Sequence, residues 1–131
     1  MILHGIVQKG KQRGKALGFP TANIPLTQNI GDGIYMSLVM LDSKKYPSLT
    51  FIGIAETFDD TERSAEVYLL DFDKDIYGKR IEVELLKKLR ENKKFESTSA
   101  LVKQMKDDTM EAREYFKFDI RNKIKIQMTK K

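Results

Sequence analysis

The segment from Gly10 to Asn23, GKQRGKALGFPTAN, concentrates residue types that bind phosphate groups. Its glycines recur at four-residue steps, and a backbone without Cβ atoms lets N–H groups approach a bulky anion. Compensating positive charge is supplied by Lys9, Lys11, Arg13 and Lys15. The segment therefore predicts a phosphate-binding loop, although a basic stretch of this kind is also typical of a solvated surface loop.

Thr21 and Asn23 close this segment and are separated by one residue. In an extended chain both side chains point to the same face, where a hydroxyl and an amide can meet a metal ion or a phosphate oxygen. The glycine spacing is not that of a Walker A loop, because three residues instead of four separate Gly10 from Gly14-Lys15. It does not match a dinucleotide-binding fingerprint either.

Glu66 is the carboxylate most suited to chemistry, because it lies in the apolar stretch AEVYLL. A charged residue there must face solvent, a partner or a site, and an ordinary outward-facing strand glutamate is the alternative.

The acidic segment 71–75 resembles a calcium loop, but Ile76 occupies the sixth position, where that loop requires glycine. We predict an acidic hairpin closed by Tyr77-Gly78 instead. His4, the single histidine, has no partners suggestive of a catalytic triad.

Short apolar runs separated by turn signals predict a mainly β protein, an antiparallel barrel or sandwich. The predicted extended segments are 2–8, 34–41, 48–55, 65–72 and 80–89, with turns at 28–33 and 42–47. An amphipathic helix follows Ser97, a plausible N-cap, with Leu101, Met105, Thr109, Ala112 and Phe116 on its apolar face. We expect this helix to cover an open side of the barrel.

Composition limits the class of protein further. The chain has 131 residues, enough for one domain over 1–131, and it contains no cysteine. Without a signal-like or membrane-spanning segment, we expect a soluble cytoplasmic protein. The net charge of +5 suits polyanions, including ATP and nucleic acid, but much of it lies in a basic tail over about 119–131, which we expect to be loosely ordered.

Several strings together resemble the ATP-dependent riboflavin kinases across residues 3–116, nearly the whole chain. They are GIVQKG at 5–10, RGKALGFPTAN at 13–23, GIY at 33–35, AEVYLLDFDKDIYG at 65–78 and LRENKKF at 89–95. The resemblance implies a small closed antiparallel β-barrel of Greek-key type with a C-terminal α-helix. It also implies transfer of the γ-phosphate of ATP to riboflavin, which gives FMN.

Carried to this sequence residue by residue, the resemblance makes Glu66 the general base. Thr21 and Asn23 would bind Mg²⁺, with Mn²⁺ or Zn²⁺ as alternatives, together with the ATP phosphates. The remaining implied ligand-binding residues are Gly10, Gly14 and Lys15 in the phosphate loop, Tyr77 near the nucleotide, and Arg90 and Phe95 on the flavin side. From the residues alone, Phe95 is equally a core aromatic and Arg90 a surface charge.

The sequence departs from the family at Glu56, where a proline is usual and would rigidify the turn. The adenylyltransferase half that often accompanies the kinase has no room here, so the chain resembles a monofunctional kinase or a kinase domain. We expect riboflavin and ATP as partners, no membrane or nucleic-acid partner, and a monomer. A non-catalytic basic β-barrel that binds flavin or nucleic acid is the alternative.

Overall fold

The computed structural model contains one six-stranded antiparallel sheet and one long helix among the residues it describes. These are residues 1–8, 21–54, 63–72 and 74–129, with side chains up to Lys117. The elements are β1 (Ile2–Ile6), β2 (Ala22–Ile24), β3 (Gly33–Leu41), β4 (Lys44–Gly53), β5 (Ser64–Leu69), β6 (Arg80–Arg90) and α1 (Thr98–Thr129).

The sheet curls into a nearly closed barrel. Its strand order is β1-β6-β3-β4-β5-β2, so β1 and β2 form the two edges. The edges meet where Gln8 N donates a hydrogen bond to Asn23 O at 2.8 Å. A Cβ atom on Gly5 would lie 3.3 Å from Pro25 Cδ and 3.5 Å from Ile24 Cβ, so this glycine lets the edges approach closely. The predicted mainly β antiparallel barrel with a C-terminal helix is confirmed.

The barrel interior is filled by alternate residues of the strands. On β5, for example, Ala65 and Val67 are fully buried while Glu66 between them is half-buried on the other face. Three hydroxyl groups lie inside this apolar core with 0 % exposure, on Ser37, Ser48 and Thr50. Ser37 Oγ lies 2.6 Å from Ser48 Oγ and 2.8 Å from Thr50 Oγ1, so each hydroxyl has a hydrogen-bond partner.

Helix α1 packs against the outer face of the sheet and not, as expected, over an open side of the barrel. Ala112 and Phe116 are buried there against Met36 and Leu49. These two strand residues point away from the interior, and burying them drives the helix onto this face. The predicted N-cap is confirmed, because Ser97 Oγ accepts a hydrogen bond from Ala100 N at 3.1 Å.

The bounds of one predicted turn are wrong. The turn placed at 42–47 contains only Asp42 and Ser43, and β4 already begins at Lys44. Both residues have positive φ, 50° and 66°, as a two-residue hairpin of type I′ requires, and no glycine marks the position. Helix α1 extends to Thr129, since no glycine or proline follows Phe116 to stop it.

Candidate functional site

The centre of the candidate site is the pair formed by Asn23 on β2 and Glu66 on β5. The two residues are directly opposite in the antiparallel ladder. Both are half-buried, whereas their neighbours Ala22 and Val67 are in the core, so the amide and the carboxylate share the outer face of the barrel. The structure thus brings together two of the residues that the sequence predicted separately.

Strand register extends this pair into a row across the outer face. Glu66 is opposite Phe51, Phe51 is opposite Ile34, and Ile34 is opposite Arg90. We call these residues, with Asn23, the Glu66 row. Adjacent strands are separated by about 4.8 Å, so the backbone of Arg90 lies about 14 Å along the sheet from that of Glu66. Predicted phosphate-side and flavin-side residues therefore lie at opposite ends of one row.

The basic glycine-rich segment leaves and rejoins the barrel at the Asn23 end of this row. The bridge between Gln8 and Asn23 ties the two ends of the segment together at its base. Thr21 immediately precedes β2 and is half-buried like Asn23, with core residue Ala22 between them. The shared face predicted for Thr21 and Asn23 agrees with this alternation. Gly10, Gly14 and Lys15 lie outside the described residues.

Tyr77 lies in the tight turn that precedes β6, beside the start of the same segment. Gly78 N donates to Val7 O at 2.8 Å, and Val7 N donates to Lys79 O at 2.9 Å. The Tyr77 side chain is half-buried and packs against the interior cluster. Its turn is therefore fixed to the strand that leads into the predicted phosphate loop.

The oxygen atoms of Thr21 and Asn23 suit a hard divalent cation such as Mg²⁺. Mg²⁺ usually takes few protein ligands and completes its shell with water and substrate phosphates. The described residues contain no group of three or more His, Cys, Asp or Glu placed to hold a metal ion. Two neutral side-chain oxygen atoms beside one carboxylate therefore fit a cation that arrives with a nucleotide.

Arg90 lies at the far end of the Glu66 row, where its side chain contacts the helix. Its Nε donates to Asp108 Oδ1 at 2.9 Å and its Nη2 to Asp108 Oδ2 at 2.8 Å. The side chains are only 18 % and 7 % exposed, so this is a largely buried ion pair and not a surface charge. Arg90 therefore joins the last strand to the helix.

Phe95 lies in the segment 91–97, the connector between β6 and α1, and is half-buried. The connector is held against the end of β4, where Asn92 Nδ2 donates to Ile52 O at 3.0 Å. A Cβ atom on Gly53 would lie 2.5 Å from the same Nδ2, so only glycine permits this approach. Glu56, at the family's proline position, lies outside the described residues.

Sequence reasoning missed Asp108 and Gln104. Asp108 is buried, and Gln104 Nε2 donates to its Oδ1 at 3.0 Å. The missed signal is their spacing, since Gln104, Asp108, Ala112 and Phe116 recur at four-residue steps and form one stripe on the helix. A search for apolar residues at helical spacing finds only Ala112 and Phe116, the apolar half of that stripe. Leu101, Met105 and Thr109, predicted for the apolar face, are half-buried.

Two acidic residues between β5 and β6, Asp71 and Asp75, accept hydrogen bonds. Arg113 Nη1 donates to Asp71 Oδ2 at 2.6 Å, and this hydrogen bond lowers the pKa of Asp71 below its ordinary value. Asp75 Oδ1 accepts from Tyr77 N at 3.0 Å. His4 Nδ1 lies 3.2 Å from Arg80 Nη2 on the exposed side of the sheet.

A shallow cavity of about 290 Å³ lies beside the start of β3 and the second half of β6. Tyr35, Leu85 and Lys88 line it, and it includes none of the predicted site residues. No helix in the described part of the chain has the length and apolarity that a membrane crossing requires.

The fold and site define a class of small antiparallel β-barrels with a hydroxyl, an amide and a carboxylate on the outer face, next to a basic glycine-rich segment. A sequence model described as riboflavin kinase matches residues 1–116. The chain belongs to the riboflavin kinase family.

Relatives and a solved structure agree with this assignment. The chain is 38 % identical over 130 residues to the trifunctional protein RibF/MnmA of Mycoplasmoides gallisepticum, covering 97 % of this chain and 20 % of the relative. It is 39 % identical over 109 residues to the RNA-binding riboflavin kinase RibR of Bacillus subtilis, covering 82 % of this chain and 47 % of the relative. The crystal structure of riboflavin kinase from Trypanosoma brucei is similar with a TM-score of 0.60 and 26 % identity, covering 88 % of this chain and 79 % of that one.

The chain thus spans less than half the length of these two curated relatives. What their remaining segments do is a property of those proteins.

Proposed function

We propose that this chain is a riboflavin kinase, which transfers the γ-phosphate of ATP to the ribityl 5′-hydroxyl of riboflavin and releases FMN and ADP. One observation carries the proposal: Asn23 and Glu66 are paired on the outer face, with Thr21 where the basic glycine-rich segment rejoins the barrel. Membership of the riboflavin kinase family supplies the substrate class.

In this proposal Glu66 is the general base. The ribityl 5′-oxygen forms a bond to the γ-phosphorus while the bond between that phosphorus and the ADP oxygen breaks. The hydroxyl proton passes to the Glu66 carboxylate. Phosphoryl transfer depends mainly on positioning and charge neutralisation, so a modest base is chemically sufficient.

Thr21 and Asn23 hold the divalent cation and the ATP phosphates, and Gly10, Gly14 and Lys15 complete the phosphate site. When bound, the cation neutralises charge on the phosphate oxygens. Mg²⁺ is the expected ion, with Mn²⁺ or Zn²⁺ as alternatives. Tyr77 belongs to the nucleotide side of the site, and its turn is fixed to Val7, shortly before this loop begins.

Riboflavin binds along the Glu66 row on the side of Glu66 that faces away from Asn23, toward the connector that carries Phe95. Phe51 and Ile34 lie between Glu66 and Arg90 in that row and offer apolar surface. An aromatic ring system can pack on such a surface while its ribityl chain reaches Glu66.

The distribution of charge disfavours the alternative of a basic barrel that binds nucleic acid without catalysis. Of 24 basic and 19 acidic residues, six basic and one acidic lie beyond Phe116. Residues 1–116 therefore hold 18 of each and are formally neutral. A barrel that binds polyanions by charge alone needs a net positive surface, which this domain lacks.

We expect a monomer that acts in the cytoplasm.

The test is incubation of the purified chain with riboflavin, ATP and Mg²⁺, followed by chromatography for FMN and ADP. We expect the two products in equal amounts, with no FMN when ATP or the metal is left out. Repeating the reaction with Mn²⁺ and Zn²⁺ identifies the preferred ion. If no FMN forms with any of these ions, although riboflavin binds, the chain is a flavin-binding module and the kinase proposal is wrong.

A further inference from the structure

The ion pair between Arg90 and Asp108 uses the whole guanidinium group. Nε and Nη2 both donate to the Asp108 carboxylate, and the remaining nitrogen, Nη1, donates to Glu91 O at 2.9 Å. Each of the three nitrogen atoms therefore has an acceptor within the protein. A direct contact between this guanidinium and a substrate would have to compete with these charge-assisted hydrogen bonds.

Hydrogen bonds extend from this pair into the connector. Gln104 donates to Asp108 Oδ1 at 3.0 Å and accepts from Lys93 Nζ through its Oε1 at 3.3 Å. The connector is thus fastened to the helix at Lys93 and to Arg90 through the carbonyl of Glu91. The carboxylate at the centre of the network is buried, where hydrogen bonds are electrostatically stronger than in water.

A third attachment joins the connector to the barrel near the Glu66 row. Asn92 lies between Glu91 and Lys93, and its amide donates to the carbonyl of Ile52, the residue after Phe51 on β4. A shift of the connector would therefore change its distance from the Glu66 row. Phe95 follows three residues later in the same connector.

We infer that Arg90 is a positioning residue: its ion pair with Asp108, extended through Gln104 to Lys93, holds the connector in the place where it receives riboflavin. The inference rests on the proposed function, and it replaces a direct flavin contact for Arg90 with an indirect one. Loss of the pair should weaken riboflavin binding while leaving the ATP side of the row, at Thr21 and Asn23, unchanged.

The experiment compares Asp108→Asn and Gln104→Ala with the wild-type chain. Riboflavin affinity is measured by fluorescence titration, and KM for riboflavin, KM for ATP and kcat are measured from FMN formation. We expect the riboflavin Kd and KM to rise about tenfold in Asp108→Asn and less in Gln104→Ala. A displaced connector weakens riboflavin binding in the ground state and the transition state alike, so KM rises while kcat changes little. KM for ATP should stay within about twofold of wild type.

Asp71→Asn is the matched control, because it removes another ion pair between the helix and the barrel without touching the connector. It should leave riboflavin affinity unchanged. The charge-swapped double variant, Arg90→Asp with Asp108→Arg, should recover part of the affinity that Arg90→Asp loses.

Three results would overturn the inference. They are unchanged riboflavin affinity in a folded Asp108→Asn variant, an equal loss in the Asp71→Asn control, and a folded charge-swapped variant that recovers no affinity. If the swapped variant does not fold, Asp108→Asn and Gln104→Ala decide the question. Failure of the wild-type chain to make FMN would instead count against the proposed function, since riboflavin titration of the variants does not need turnover.

Discussion

Asn23 and Glu66 are cross-strand neighbours on the outer face of the barrel, in the short ladder between β2 and β5. Directly opposite residues in such a ladder have Cβ atoms about 4.5–5.5 Å apart. The Asn23 amide and the Glu66 carboxylate are therefore held one strand apart by backbone hydrogen bonds. This spacing suits a reaction in which a hydroxyl at Glu66 meets a phosphoryl group held beside Asn23.

Thr21→Ala and Asn23→Ala should each reduce FMN formation by about 10²-fold or more, because the metal–nucleotide complex loses an oxygen ligand. Both side chains point away from the core, so the melting temperature should change little. Thr27→Ala, at an exposed position outside the Glu66 row, is the control for the substitution itself. Near wild-type turnover in both site variants would show that the metal and phosphates bind elsewhere.

Glu66→Gln should lower turnover by about 10²- to 10⁴-fold, since the amide keeps the size of the side chain but cannot accept the hydroxyl proton. Nucleotide affinity, measured by titration of the same variant, should be little changed. Glu82→Gln on β6 is the matched control, an exposed strand glutamate away from the row. Equal single-turnover rates for the two variants would remove Glu66 from the mechanism.

Ser37→Ala should destabilise the protein by about 1–3 kcal/mol, because Ser48 and Thr50 would each lose a buried hydrogen-bond partner. Urea unfolding measures the difference. Ser99→Ala, at an exposed helix position, should change stability by less than about 0.5 kcal/mol. A Ser37→Ala variant as stable as wild type would mean that the remaining hydroxyls find other partners in the core.

The ion pair between Asp71 and Arg113 should make a small pH-dependent contribution to stability. Arg113 lowers the pKa of Asp71 in the folded protein, so the contribution is present above the unfolded pKa of about 3.9 and is lost as the pH falls through the folded pKa. The Asp71 side chain is 75 % exposed and that of Arg113 45 %, and screening by solvent keeps the contribution to about 0.2–1 kcal/mol.

Comparison of wild type with Asp71→Asn checks this prediction. Their unfolding free energies should differ near neutral pH and converge once the pH has fallen below the lowered folded pKa of Asp71, where the aspartate of the wild type is protonated in both states. A difference that is the same at both pH values would assign the effect to packing of the side chain instead of its charge.

Local sequence signals predicted much of the fold. Alternation of apolar and polar residues depends on two-residue periodicity, so it identified five of the six strands and the shared face of Thr21 and Asn23 without knowledge of their partners. The three-residue strand β2 was not predicted. Ser97 was recognisable as an N-cap because its hydrogen bond is made within one turn of the helix. The hairpin at Asp42 and Ser43 was placed too broadly, because its positive φ values occur without the glycine that usually marks them.

The sequence by itself determined which residues could do chemistry, because side-chain type and spacing are local properties. Only the tertiary structure decided which of them meet. Strand register placed Asn23 opposite Glu66 and set Arg90 in the same row, and register depends on pairing between segments far apart in the chain. In the same way, Asp108 is an ordinary helix carboxylate in sequence. Its carboxylate can be buried in the folded protein only because Arg90 on β6 compensates its charge.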